Sequence, residues 1–253
     1  MTTKAKSGTQ INPQEVSYSV SGETRQIIDE VLKGRAASYR LFSRILLSPL
    51  TESEINELAA EDFAAKATEF DNEDLLAEGF NDIGRALSKR NSATRQQLAT
   101  DYTMCFDGVE TVEGETAVPY ASIFLGEQAL LNQEPRHAVY KIYRAEEIVP
   151  RSTAKQPEDH ISYELDFLAL MSIKASEALE SGDTSEVLRA LEVSQDFIAG
   201  HILTWLDLLT NRANSILKTR FYRGALKATK GYLHLDQQII AELKEMLVGE
   251  QTS

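Results

Sequence analysis

The sequence predicts an all-α protein, a multi-helix bundle of about nine or ten helices. Three observations predict it. Apolar residues recur at helical spacing through most of the 253-residue chain, and that spacing lines one face of a helix. Only 13 glycines and 6 prolines interrupt the pattern, too few to punctuate many short strands. Strand signals are almost absent, and no internal repeat, sustained heptad series or low-complexity block intervenes.

Residues 1–22 are rich in Ser, Thr, Gln and Gly and read as a disordered tail. A first helix is expected over 23–47, where Ile27, Ile28, Val31, Leu32, Tyr39, Phe42, Ile45 and Leu46 keep the spacing and Ser48-Pro49 stops it. Thr51-x-x-Glu54 is a capping box opening a second helix, because hydroxyl and carboxylate satisfy two free N–H groups reciprocally. A third helix, over 73–90, places Leu76, Phe80, Ile83 and Leu87 on one face, and Ser92 caps a fourth carrying Leu98, Tyr102, Cys105 and Phe106. Gly108 and Gly114 mark a loop over 107–118. Pro119 opens a helix through Leu131, and another spans 135–147. The polar stretch 150–156 reads as a hinge between an N-terminal helical cluster, 23–149, and a C-terminal one, 157–253, which together form one compact domain. Helices are then expected over 157–180, 184–209, 211–230 and 235–248, with Thr184 as an N-cap.

Composition narrows the function classes. A net charge of −13 argues against general nucleic-acid binding, which needs cations to neutralise phosphates. The same charge suits a basic peptide, since complementary fields speed encounter, although an acidic surface also simply aids solubility. Cys105 is the single cysteine, so no internal disulfide and no cysteine-rich zinc or iron–sulfur site can form. Its apolar neighbours make it an inert core thiol. No apolar run approaches the ~18–20 residues that span a bilayer. The polar start lacks the apolar centre of a signal peptide, and a cytoplasmic protein is expected.

The most informative stretch is Pro157-Glu158-Asp159-His160-Ile161-Ser162-Tyr163-Glu164-Leu165-Asp166-Phe167-Leu168. Proline is tolerated in a first helical turn, and Asp159 in that turn would complement the positive end of the helix dipole. His160 then stands at a helix entrance, where a side chain can face a groove.

Pro157-x-Asp159-His160, followed by Gln195, Phe197, His201, Trp205 and Phe221-Tyr222, resembles the signature of the TorD/DmsD/NarJ-like redox-enzyme maturation chaperones. So does the helix end Asp101-Tyr102-Thr103-Met104-Cys105-Phe106-Asp107-Gly108, with Met104-Cys105 where that family has Arg-Leu. Pro119-Tyr120-Ala121-Ser122-Ile123-Phe124-Leu125 is similar to a third family segment, with Ala121 in place of Glu. The resemblance implies a TorD-like helical bundle in the cytoplasm that binds the twin-arginine signal peptide of a molybdoenzyme catalytic subunit. It further implies that the folded body of that subunit is held for cofactor insertion, and that Tat export waits until folding is complete.

Such a peptide offers two guanidinium groups, which carboxylates pair bidentately, and an apolar stretch, which needs a hydrophobic groove. Tyr102, Phe106, Pro119, Tyr120 and Phe124 flank the loop, and Asp159, His160 and Glu164 lie near the hinge; these eight residues form the expected signal-peptide site. The competing view of the aromatics is ordinary core packing. His201 and Trp205, four apart, read as a hydrogen-bonded histidine beside a buried indole.

The second function class is a metal-dependent helical-bundle enzyme using His160, Glu164 and Asp159, since His and Glu four apart share a helix face. No HExxH, G-x-S-x-G, P-loop or G-x-G-x-x-G is present, so no enzyme activity, metal or cofactor is expected. A GTP-responsive chaperone would need a nucleotide motif, and the sequence offers none. A monomer is expected, or a dimer that exchanges helices across the hinge.

Overall fold

The computed structural model describes residues 21–70, 72–108, 116–126, 134–149 and 156–249. Among them lie eleven α-helices and one π-helical turn, with no strand: α1 (Gly22–Leu47), α2 (Glu52–Ala60), α3 (Phe63–Glu69), α4 (Asp74–Ser88), α5 (Thr94–Phe106), α6 (Ala121–Leu125), α7 (Glu134–Ala145), α8 (Ile161–Ser181), α9 (Thr184–Phe197), the π turn (Ile198–Ile202), α10 (Leu203–Ile216) and α11 (Arg220–Gly249). The all-α bundle predicted from the periodicity is the observed fold. None of the described helices is long and apolar enough to cross a membrane.

Two long-range helix pairs hold the bundle, α1 on α8 and α4 on α11. Helices on opposite sides of residues 150–156 therefore pack directly against one another. α8 is the central rod, with 13 of its 21 residues buried, so it packs against neighbours on more than one face. Small residues Ala169, Ser172, Ala175 and Ser176 are among them, and Ser176 Oγ donates to Asp29 on α1 at 2.5 Å. The α4–α11 crossing is closer still. A Cβ on Gly79 would fall 2.4 Å from the Ala228 nitrogen, and one on Gly231 2.5 Å from the Leu76 nitrogen. Glycine is required there by backbone contact, not by backbone conformation. Beside this crossing, fully buried Arg35 on α1 reaches Asp236 on α11 through two hydrogen bonds of 2.6 and 2.8 Å, and Tyr39 Oη donates to the same carboxylate at 2.6 Å.

Local signals set most boundaries. Thr51 and Glu54 form the predicted capping box at the start of α2. Asp62 caps α3, a helix the periodicity did not resolve, by accepting from the Ala65 N–H at 2.9 Å. Ser92 is not the cap of α5; that position is Ala93, whose N–H donates to Asn91 Oδ1 at 2.9 Å in an Asx turn. α9 is capped by Asp183, and Thr184 is its first helical residue.

Three further boundaries differ from expectation. α6 begins at Ala121 behind the cap position Tyr120, and the remainder of the predicted helix through Leu131 lies beyond the described residues after Gly126. The helix predicted from 184 runs on through the π turn and α10 to Ile216. The true break is Leu217-Lys218-Thr219, fixed by buried Asp101 on α5, whose carboxylate accepts from the Lys218 N–H at 2.8 Å, the Thr219 N–H at 2.9 Å and the Thr219 hydroxyl at 2.5 Å. α11 then continues through 231–234 without interruption, because Gly231 serves the α4 contact. The hinge residues 150–155 and nearly all of the 1–22 tail lie outside the described residues.

Candidate functional site

Two extended segments meet antiparallel at Tyr120 and His160. The Ala121 N–H donates to the Asp159 carbonyl at 3.0 Å and the Ile161 N–H to the Pro119 carbonyl at 2.9 Å. This bridge stacks the entrances of α6 and α8 side by side. It also moves the start of α8: Pro157 and Asp159 precede the helix, and its cap is His160. Asp159 therefore does not stabilise the first turn of its own helix. It caps its neighbour, one carboxylate oxygen accepting from the Ser122 N–H at 2.9 Å.

His160 caps α8 through its ring, with Nδ1 accepting from the Ser162 N–H at 3.1 Å. That role requires a neutral ring protonated on Nε2. Burial enforces it, pushing the His160 pKa down to about 3. The ring meets Tyr120 edge-on at 5.0 Å and Tyr163 at 6.0 Å. Tyr120 Oη donates to Gln156, whose own N–H donates to Tyr163 Oη at 3.3 Å. Outside this ring, Arg136 on α7 pairs with Glu158 at 2.5 Å, and Tyr143 Oη donates to the Glu158 carbonyl at 3.2 Å.

A second column rises through the same junction. Glu164, one turn into α8 and fully buried, meets His201 Nε2 at 2.7 Å. His201 lies on the π turn, the kind of local widening that recurs at functional positions. Burial raises the Glu164 pKa, although His201 draws it the other way. Burial likewise depresses His201, but the Glu164 carboxylate beside it more than offsets this, and its pKa is raised. The Trp205 indole is buried next along the helix and stacks on Phe124 of α6 at 5.7 Å, and the exposed Arg212 guanidinium sits 5.5 Å over Phe124. The column thus runs from a buried acid to the surface.

Three polar atoms on the two entrance segments are buried without a hydrogen-bond partner among the described residues, Asp159 Oδ1, Ser122 Oγ and Ser162 Oγ, whereas the Glu164 carboxylate is met by the Trp205 indole N–H as well as by His201. One is a carboxylate oxygen, and such a group is costly to bury unmatched. Native structures keep few of these, and here they fall together at one junction.

The eight expected site residues separate into layers. Tyr102 and Phe106 are core residues: they pack on one another and on Tyr222 within 6 Å, and Tyr102 Oη donates to the Leu46 carbonyl at 3.1 Å. Their expected place on a groove wall is corrected, because nothing of them is left to touch a peptide; they are 1% and 3% exposed. Pro119, Tyr120, Phe124, Asp159, His160 and Glu164 do come together at the α6–α8 junction. Within it Asp159, His160 and Glu164 are at most 1% exposed, so direct surface pairing of Asp159 with an arginine does not fit this arrangement. Tyr120, at 9%, and half-buried Phe124 form its outer layer.

The side chains of His160 and Glu164 are engaged with other partners rather than with each other. His160 spends Nδ1 on a cap and Glu164 spends Oε1 on His201. Among the described residues no group of three or more His, Cys, Asp or Glu side chains could hold a metal ion. Cys105 is a buried thiol whose pKa burial pushes up, in keeping with an inert residue. The sequence reading missed Gln156, Ser122, Tyr163 and Arg212. The His201–Trp205 spacing was its one legible sign of the column, and the pairing of His201 with Glu164 spans 37 positions.

Residues 72–211 match the family model described as nitrate reductase delta subunit. Similar curated proteins include the chaperone protein TorD of Vibrio atlanticus, 27% identical over 208 residues that cover 82% of this chain and 94% of that protein. TorD of Vibrio cholerae is 26% identical over 209 residues, covering 83% and 93%. TorD of Photobacterium profundum is 25% identical over 205 residues, covering 80% and 92%. The matched family span takes in the α6–α8 junction and the π turn, and ends one residue before Arg212.

Proposed function

The chain belongs to the TorD-like family of redox-enzyme maturation chaperones, and on that premise we propose that it binds the twin-arginine signal peptide of a molybdoenzyme catalytic subunit. Binding keeps that subunit in the cytoplasm for cofactor insertion and delays its Tat export until it is folded. The observation that carries the reading is the likeness to TorD chaperones over more than nine-tenths of their length.

The α6–α8 junction supplies the chemistry the peptide needs. Asp159 keeps one carboxylate oxygen unmatched, with the buried Glu164 carboxylate behind it, and a guanidinium is the donor set that satisfies carboxylates bidentately. Phe124 and the exposed Leu125 on α6, with exposed Leu208 on α10 and Tyr140 on α7, give apolar surface for the stretch that follows the arginines. α6 packs on both α7 and α10. Because both carboxylates are buried, the arginines reach them by displacing the first turn of α6, which is anchored by one bridge and one side-chain cap. That turn is five residues long, short enough to have little stability of its own.

Hydrogen exchange tests this arrangement. A bound leader should strip protection from the Ala121 and Ser122 amides, whose acceptors are the Asp159 carbonyl and carboxylate. Protection that rises there on binding would remove the displacement from the proposal.

A further inference from the structure

A trench on the opposite chemistry runs along α5. Two depressions, of about 810 and 500 Å³, share Gln97 and Thr219 in their walls. The charged side chains lining them are Arg85, Lys89, Lys218 and Arg220, against a single carboxylate, Asp101. Both Asp101 oxygens are consumed in capping the 217–219 break, and the residue is 5% exposed. Arg220 leans on Asp82 at 3.2 Å yet its side chain remains 65% exposed. Among the described residues no carboxylate pairs with Arg85, Lys89 or Lys218. In a chain with 39 acidic and 26 basic residues, a trench lined by four cations and one carboxylate, itself consumed in hydrogen bonds, runs against the composition.

We infer that this trench docks an acidic polypeptide segment. A twin-arginine leader is excluded, since like charges in apposition cost affinity and slow encounter. A single phosphate or other small anion would call for donors converging on one point. Here the cations are spread between the end of α4 and the start of α11, across two adjoining depressions. Gln96, Gln97 and Thr100 stand between them, and their paired donors and acceptors suit peptide backbone. The inference rests on the function proposed above only for the owner of the segment, which is then the body of the client subunit, away from its cationic leader. The chaperone would hold its client by two oppositely charged handles, and linked contacts raise overall avidity.

The experiment uses the full chain and a fluorescently labelled deca-glutamate peptide as probe, followed by anisotropy at low and at 0.3 M salt. Wild type should bind it with an affinity that falls with salt. Lys89→Glu/Lys218→Glu should weaken binding at least tenfold while the circular-dichroism spectrum and melting temperature stay as in wild type. Arg40→Glu/Lys141→Glu carries the same change of net charge outside the trench and should leave binding within twofold. Equal loss in both double variants, or no binding by wild type, would overturn the inference, as would displacement by equimolar inorganic phosphate. Leader titration on the trench variant keeps the two ideas apart: a failed leader site with an intact trench indicts the function, and the reverse indicts the trench.

Discussion

Asp159 shows how one residue is read differently from sequence and from structure. As a first-turn charge it would stabilise α8 by a few tenths of a kcal/mol. As the buried cap of α6 it does more, and Asp159→Ala should cost about 1–3 kcal/mol in urea denaturation, the range for a lost cap and an N–H left without its acceptor. A loss under ~0.5 kcal/mol would return Asp159 to punctuation. His160 carries a pH signature. Its folded pKa is about 3, depressed by burial from 6.5, so the folded state refuses a proton that the unfolded chain accepts. Its stability contribution is complete above pH 6.5 and declines as pH falls through the window from 6.5 toward 3, by about 1.4 kcal/mol per unit. The stability advantage of wild type over His160→Asn, which keeps a capping acceptor, should shrink at that slope as the pH is lowered from 6.5 to 5. His201 and Glu164, both raised, work in the opposite direction, so the comparison with the variant isolates His160. Nitrogen-detected NMR should find the His160 ring neutral at pH 5 while His201 is charged. The pattern Pro-x-Asp-His announced a helix entrance in the sequence. That Asp159 caps a different helix was not legible, because its partner Ser122 lies 37 positions away, as does His201 from Glu164.

At the scale of elements, helices with one clean apolar face were legible, and α1, α4, α7 and the start of α2 stand within a residue or two of expectation. Boundaries set by distant residues were not. Nothing local in Leu217-Lys218-Thr219 announces a break, since the acceptor for its N–H groups is Asp101 on another helix. Gly231 resembled an interruption and is a contact point. Two helices that approach this closely leave no room for a methyl group. Gly79→Ala and Gly231→Ala should each destabilise by about 1–3 kcal/mol through overpacking, although alanine is intrinsically the better helix former by ~1 kcal/mol. Thermal melting of each variant checks the sign, and a stabilised variant would mean that α4 and α11 pack more loosely than described. The Arg35–Asp236 pair beside them makes a sharper test. Asp236→Ala leaves a fully buried guanidinium without its partner and should cost about 3–5 kcal/mol.

The whole molecule carries two charged features, a buried acid-backed junction at α6 and α8 and a cationic trench along α5. The family was legible in the sequence because its motifs fall where the chain is locally constrained: a helix end, a bridge and a cap. The depth of the site was not, because burial is a property of packing; the residue types that would suit a groove, Tyr102 and Phe106, suit a core equally well. Isothermal titration tests the central claim most directly. The chain would be titrated with the twin-arginine leader of each molybdoenzyme catalytic subunit encoded in its own genome, beside versions in which both arginines are lysine. At least one leader should bind with a micromolar or tighter Kd, about 8 kcal/mol. Its di-lysine form, and Asp159→Ala or Glu164→Gln in the chain, should each bind at least tenfold more weakly. If no leader binds, or if each binds equally well with lysines and to both variants, the account of this protein as a signal-peptide chaperone acting through the α6–α8 junction is wrong.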